Sequence, residues 1–284
     1  TVTTAYDMGL LTPDSTLTVP YSITLYDKTI RDSHKHPTEV MTINQILSES
    51  SNVGTIMIAQ MIERAGGREK LVDAFKAFGF GKYTALGLPK EQSGVLKEHD
   101  DWNGTDIGSI PIGQSVTVSP LQMWTAYNTI ANGGSYVPPV LVRDIVDASG
   151  DRLTPKVPSE APRAHRAVSE KAAQMVTRSL EDVVDAEHGT GREFKIDGFK
   201  IAAKTGTAYK VLDNGTYGTA ATRKYAASFV GFFPASDPQI SIMVMIDEPG
   251  YGQHFGATAA GPVFDTLARE SMRDLKTCSL RESS

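Results

Sequence analysis

The sequence has one cysteine, Cys278, among 284 residues, so no internal disulfide can staple the fold, and cysteine usage does not identify the redox compartment. Long apolar runs are missing too: none approaches the roughly 18 residues of a membrane-spanning helix, and Thr1-Val2-Thr3-Thr4 carries no basic leader region. There is no excess of positive charge, because 28 Lys and Arg stand against 33 Asp and Glu, a net charge of -5. A nucleic-acid partner requires a basic face to neutralise phosphates, and the chain displays none. What is present is 40% apolar residues with 21% charged residues dispersed among them. That balance buries a sizeable core and lies far from the composition of a disordered chain. No internal repeat or low-complexity tract stands out.

Local signals divide the chain into helices first and strands later. Thr3 to Gly9 reads as the tail of a helix ended by glycine, followed by the turn Thr12-Pro13-Asp14. Thr16 to Ile30, rich in Thr, Val and Ile but broken by Pro20, predicts short extended pieces on the surface. Thr42-Ile43-Asn44-Gln45 has the form of a capping box, and the helix it starts should end near Ser48. A second helix from Asn52, with Val53, Ile56, Met57, Gln60 and Met61 at helical spacing, should stop at Gly66-Gly67. Further helices are predicted for Arg68 to Phe78, from Ser119-Pro120-Leu121-Gln122 to Asn132, and for about Ser169 to Asp185. Ser149 to Ala164, rich in Pro and charge, reads as a surface connection.

In the last third the period changes. Phe199 to Ala208, Tyr225 to Phe233 and Ile240 to Ile246 are short apolar runs at separations that favour antiparallel neighbours. A helix from about Ala260 to Leu275, with Val263, Phe264, Leu267 and Met272 on one side, should cover that sheet. Helices, then strands, then a covering helix make an α+β fold, an antiparallel sheet flanked by helices.

Two short motifs could carry chemistry. In Lys204-Thr205-Gly206-Thr207, inside a predicted strand, lysine supplies fixed positive charge and glycine lets a substrate backbone approach. The string alone is weak and fits an exposed strand edge equally well. Ser50-Ser51-Asn52 sits at a predicted helix junction and fits either Ser-x-Asn or a serine-rich cap. Read together, they are two of the three signature elements of serine β-lactamases and penicillin-binding proteins: Ser-x-x-Lys, Ser-x-Asn and Lys-Thr-Gly.

The surrounding residues resemble class B penicillin-binding proteins over nearly the whole chain. Gly9-Leu10 precedes a Pro-Asp turn, and Ser50-Ser51-Asn52-Val53-Gly54, Phe78-Gly79-Phe80-Gly81 and Gly87-Leu88-Pro89 follow in order. Gly113 to Gln122 leads into Asn132-Gly133-Gly134, then come Gly189-Thr190-Gly191, Lys204 to Ala208 and Tyr225 to Pro234. Ordered matches multiply where single motifs do not. The Ser50 to Gly54 segment and the Thr207-Ala208 ending look more like the cell-division type than the elongation type.

The resemblance implies a penicillin-binding transpeptidase fold and a metal-free, cofactor-free D,D-transpeptidase. Its serine acyl-enzyme would cross-link the D-alanyl-D-alanine stem peptides of peptidoglycan and be blocked by β-lactam antibiotics. By motif position, Ser50 would relay a proton to the leaving amine. Asn52 would hydrogen-bond the substrate amide, and Lys204 would give electrostatic support. Thr205 and Thr207 would receive the terminal carboxylate beside Gly206, and the Thr207 backbone N–H would form half of the oxyanion hole. Strand alternation puts Lys204 and Thr205 on opposite faces, so both can serve one site only if the strand is an edge with the cleft alongside it.

One element of the signature is absent: no serine is followed by lysine at the third position. Aligned on the family, residues 1–284 read as a partial transpeptidase domain whose serine nucleophile and first strands would precede Thr1. The intact protein is then expected at the outer face of the bacterial cytoplasmic membrane, anchored by an upstream segment among division-machinery membrane proteins. A D,D-carboxypeptidase or β-lactamase-like hydrolase is the alternative within enzymes. A non-catalytic peptidoglycan-binding or divisome scaffold is the alternative outside them. His34-Lys35-His36 and Asp100-Asp101 read as solvated loops, and His188 to Gly191 as a tight turn leading toward the Lys204 strand.

Overall fold

A computed structural model describes residues 1–84, 86–153, 162–219, 221–250 and 252–282. α1 (Val2–Asp7) ends where Gly9 takes a positive φ of 69°. Four short strands follow: β1 (Thr16–Val19), β2 (Ser22–Leu25), β3 (Lys28–Arg31) and β4 (Glu39–Thr42). They form two antiparallel pairs, β1 with β4 and β2 with β3, the short extended pieces that the sequence predicts.

The helical half is then laid down by α2 (Ile43–Ser48), α3 (Asn52–Gly66) and α4 (Glu69–Ala77). The capping box is present: Gln45 N donates to Thr42 Oγ1 at 3.1 Å, and Thr42 N donates to Gln45 Oε1 at 2.8 Å. α5 (Pro120–Ala131) begins with a second such box on Ser119 and Gln122. Gln122 does more than cap, since its buried side-chain amide also donates to the carbonyls of Lys82 and Ser93 and so fixes the loop before α5. Four two-residue strands follow, β5 (Ser135–Tyr136), β6 (Ile145–Val146), β7 (Arg152–Leu153) and β8 (His165–Arg166), pairing β5 with β8 and β6 with β7. Of the predicted surface connection from Ser149 to Ala164, residues 154–161 lie outside the described residues, and the remainder is almost wholly exposed.

α6 (Glu170–Asp185), capped by Ser169, leads to a three-stranded antiparallel sheet. Its strands are β9 (Ala202–Tyr209), β10 (Tyr225–Phe233) and β11 (Ile240–Asp247), in the order β11-β10-β9. α7 (Gly256–Glu282) covers one face. β10 is buried on both faces because it is the central strand: Phe229 and Phe233 pack with Phe264 and Met272 beneath α7, while Phe232 and Ala202 join the core built by α1, α2, α3 and α6. The result is helices, sheet, helix in three layers.

Two expectations need correction. Among the described side chains of α7 the buried apolar ones are Ala260, Phe264, Ala268 and Met272, whereas Val263 and Leu267 are 44% and 46% exposed. The helix rests on the sheet along one i, i+4 ridge, with alanines between larger residues allowing close approach, so the stripe is narrower than a three-four pattern implies. α7 also starts four residues before Ala260, at Gly256, where a Cβ would lie 2.3 Å from the Ser228 carbonyl oxygen. Only glycine lets the helix begin against the strand there.

Candidate active site

β9 is the edge of its sheet among the described residues, so both side-chain rows of this strand can reach the open side. Lys204 Nζ donates to Ser50 Oγ at 2.7 Å and to the Thr205 carbonyl at 3.0 Å. Thr205 Oγ1 donates to Thr190 Oγ1 at 2.9 Å. Thr207 Oγ1 accepts from the backbone N–H of Gly256, at the start of α7, at 3.1 Å. With that lone pair taken, the Thr207 hydroxyl keeps its proton for an incoming acceptor. Gly206 has an internal reason as well as the predicted one, because a Cβ on it would stand 2.5 Å from Ser228 Oγ.

The Ser50 half is built differently. Ser50 lies between α2 and α3 with a φ of 60°, a left-handed conformation that costs a non-glycine residue roughly 1–3 kcal/mol and persists only where its surroundings enforce it. Among those surroundings is Asp32, just after β3, whose carboxylate is nearly buried and binds the next residues of the turn. Its Oδ2 accepts from Ser51 Oγ at 2.8 Å and its Oδ1 from Val53 N at 2.9 Å. Ser51 Oγ in turn accepts from Gly54 N at 2.9 Å, capping α3. Asn52 Nδ2 donates to the Arg31 carbonyl at 3.1 Å, which ties the amide to the same β3 end.

A third segment joins the two halves. In the predicted tight turn, Thr190 N donates to the Ser48 carbonyl at 3.0 Å while its hydroxyl receives Thr205. The flanking glycines permit this approach: a Cβ on Gly189 would lie 2.4 Å from the Val183 carbonyl oxygen, and one on Gly191 would lie 3.1 Å from the Phe229 ring.

These residues line a cleft of about 1150 Å³. All six residues singled out in the sequence, Ser50, Asn52, Lys204, Thr205, Gly206 and Thr207, lie along it. Burial pushes the Lys204 ammonium down to about 8, so at neutral pH it remains mostly a cation yet can surrender a proton far more readily than a surface lysine. A hydroxyl beside such an amine, a glycine-lined strand edge and a donor hydroxyl three residues, roughly ten ångströms, along the strand form a constellation suited to moving a proton near a bound, carboxylate-ended peptide.

Three features of the cleft escape motif reading. Asp32 belongs to no pattern in the sequence and is recognisable only as a nearly buried carboxylate. Thr190 lies in a turn that the sequence shows as glycine-flanked but not as joining the two motifs. The third is a wall of aromatic residues: Tyr209 packs on Tyr217 and edge-on against Tyr225, and His254 stacks on Tyr225 at 4.3 Å. His36 also departs from its expected solvated loop: its Nε2 lies 3.1 Å from Asp32 Oδ2 and its Nδ1 3.1 Å from Glu39 Oε1. Among the described residues no three or more His, Cys, Asp or Glu converge as metal ligands would, and no helix is long and apolar enough to cross a membrane.

Comparisons with known proteins agree on one family. The model described as "Penicillin binding protein transpeptidase domain" matches residues 1–269. The chain is 34% identical over 274 residues to the penicillin-binding protein PbpB of Mycolicibacterium smegmatis, covering 94% of the chain and 41% of that protein. To the peptidoglycan D,D-transpeptidase FtsI of Escherichia coli it is 32% identical over 275 residues, covering 96% of the chain and 42% of that protein. The chain therefore spans about two fifths of the length of these curated relatives. Among solved structures, penicillin-binding protein 3 of Mycobacterium tuberculosis complexed with aztreonam superposes with a TM-score of 0.86 at 32% identity, over 97% of this chain and 60% of that one.

Proposed function

The chain belongs to the penicillin-binding protein transpeptidase family, and from its cleft we propose that it forms the acyl-transfer site of a peptidoglycan D,D-transpeptidase of the cell-division type. One observation carries the reading: Lys204 Nζ lies 2.7 Å from Ser50 Oγ, joining two motifs 154 residues apart on the wall of a peptide-sized cleft.

Ser50 is the proton relay to the leaving amine, with Lys204 holding its hydroxyl and supplying positive charge where negative charge develops. Asn52 orients the substrate amide. Thr207, with its hydroxyl proton free, and Thr205 receive the terminal carboxylate, Gly206 allows the peptide backbone to lie against β9, and the Thr207 backbone N–H forms one half of the oxyanion hole. The 284 residues contain no Ser-x-x-Lys, so we assign the attacking serine to a part of the protein outside them. The substrates are stem peptides ending in D-alanyl-D-alanine, and β-lactams occupy the same cleft. The working location is the outer face of the cytoplasmic membrane, among division-machinery membrane proteins.

Intact-mass measurement after incubation with a penicillin tests this. The 284-residue chain is expected to carry no adduct, because Ser50 lacks the second lysine that would activate it as a nucleophile. The full gene product is expected to carry one penicilloyl group. A stoichiometric adduct on the 284-residue chain that disappears in Ser50→Ala would make Ser50 the nucleophile. A full gene product that takes no adduct would favour the non-catalytic scaffold.

A further inference from the structure

Beyond Thr207 the cleft holds a cation that the reaction as read does not use. Arg223 lies in the connection between β9 and β10, and its guanidinium carbon sits 4.2 Å from the centroid of the Tyr209 ring. Its Nε is shielded from solvent with no hydrogen-bond partner, and no carboxylate among the described residues pairs with it. The neighbouring cations differ: Lys210 is bound to Asp247 and Glu248, and Lys224 to Glu248. Arg223 thus keeps its charge and an unmet donor in the same cleft as Lys204 and Thr207. Burying a guanidinium donor without an acceptor is unfavourable, and the Tyr209 ring beneath it attracts the cation and holds it at this end of the cleft.

The position decides what the fork meets. Thr205, Thr207 and Tyr209 share one side of β9 by strand alternation, and Tyr209 lies two residues, about 7 Å, past Thr207. A peptide gripping the β9 edge with its terminal carboxylate at Thr207 passes the Tyr209 ring on one of its flanks. Tyr217, Tyr225 and His254 wall that end of the cleft with apolar surface and bring no carboxylate of their own. We propose that Arg223, laid over Tyr209, is a second anion-recognition residue that selects ligands carrying a further carboxylate besides the terminal one. This rests on the transpeptidase reading of the cleft. Both a stem peptide with a side-chain carboxylate and a β-lactam with an acidic side chain offer the chemistry.

Benzylpenicillin and carbenicillin differ by one side-chain carboxylate, so their second-order acylation rates on the full gene product form a matched pair. In Arg223→Gln the carbenicillin-to-benzylpenicillin rate ratio is expected to fall at least tenfold, and in Arg223→Lys to recover in part, since lysine restores the charge without the fork. A matched pair of D-alanyl-D-alanine peptides, with and without a side-chain carboxylate, used as competitors of benzylpenicillin acylation distinguishes the peptide from the drug as the source of selection. An unchanged ratio in Arg223→Gln, or a ratio in Arg223→Lys no different from that in Arg223→Gln, overturns the proposal and leaves the site reading intact. If the parent protein is acylated by neither penicillin, the reading of the site and this proposal fall together.

Discussion

The two halves of the cleft bring one polar group each to the same point and are held by opposite means. Lys204 stands on a strand whose position is fixed by the β10 ladder, from Ala202 opposite Phe232 to Tyr209 opposite Tyr225, and by glycine-close contact with the start of α7. Ser50 stands between the short α2 and the 15-residue α3 in a left-handed backbone conformation, and Asp32 holds the residues that follow it by accepting hydrogen bonds from Ser51 Oγ and Val53 N. A ladder spreads the work over many backbone groups, so a change in one side chain of β9 should alter the chemistry and spare the fold. A junction whose side-chain hydrogen bonds converge on one buried carboxylate should lose both together.

This contrast can be tested from the core outward. Phe229→Ala or Phe232→Ala, each fully buried on β10, should destabilise the protein by about 3–5 kcal/mol, because the ladder is only as firm as the two layers against it. A thermal melt within a degree or two of the parent would show that the strand half does not depend on this core. Asp32→Ala should cost about 2–3 kcal/mol, leaving Ser51 Oγ and Val53 N without their buried acceptor, and should also slow penicillin acylation of the full gene product. Asp32→Asn should recover part of both losses by keeping one acceptor oxygen. If Asp32→Ala loses stability yet acylates at the parent rate, the carboxylate supports α3 and does not position Ser50.

Lys204→Ala should lower acylation at least tenfold, about 1.4 kcal/mol of barrier, with little change in the melt. Unaltered kinetics in the folded variant would remove Lys204 from the site. The smallest effect is one of pH. Burial depresses the Lys204 ammonium to about 8, so its cation is full well below that value and is lost as pH rises through it. Acylation that needs the cation should therefore decline through about pH 8 in the parent, and the decline should vanish in Lys204→Ala. A rate that climbs through pH 8 would make the neutral amine the working form.

Much of this molecule is legible in the order of its residues. Capping boxes at Thr42 and Ser119, the glycine stop at Gly67 and the short apolar runs of β10 and β11 rest on features within a few residues, which a linear pattern records. The narrow stripe of α7 is not legible in this way, because which side of a helix rests on a sheet depends on the shape of that sheet. Thr190 looks like an ordinary loop residue in the sequence for a similar reason: its partner Thr205, 15 residues on, is fixed by packing and not by spacing.

Linear pattern alone settles most helix starts and stops, the order of helices, then strands, then a covering helix, and the residue types at the two motifs. Each of these follows from local hydrogen bonding and from apolar periodicity. The assembled layers settle the rest: that β9 is an edge, that Asp32 locks the turn carrying Ser50, and that Lys204 reaches Ser50 across 154 residues. Such contacts form between chain segments that meet only after the core has closed, so their geometry is set by the packing of all three layers together.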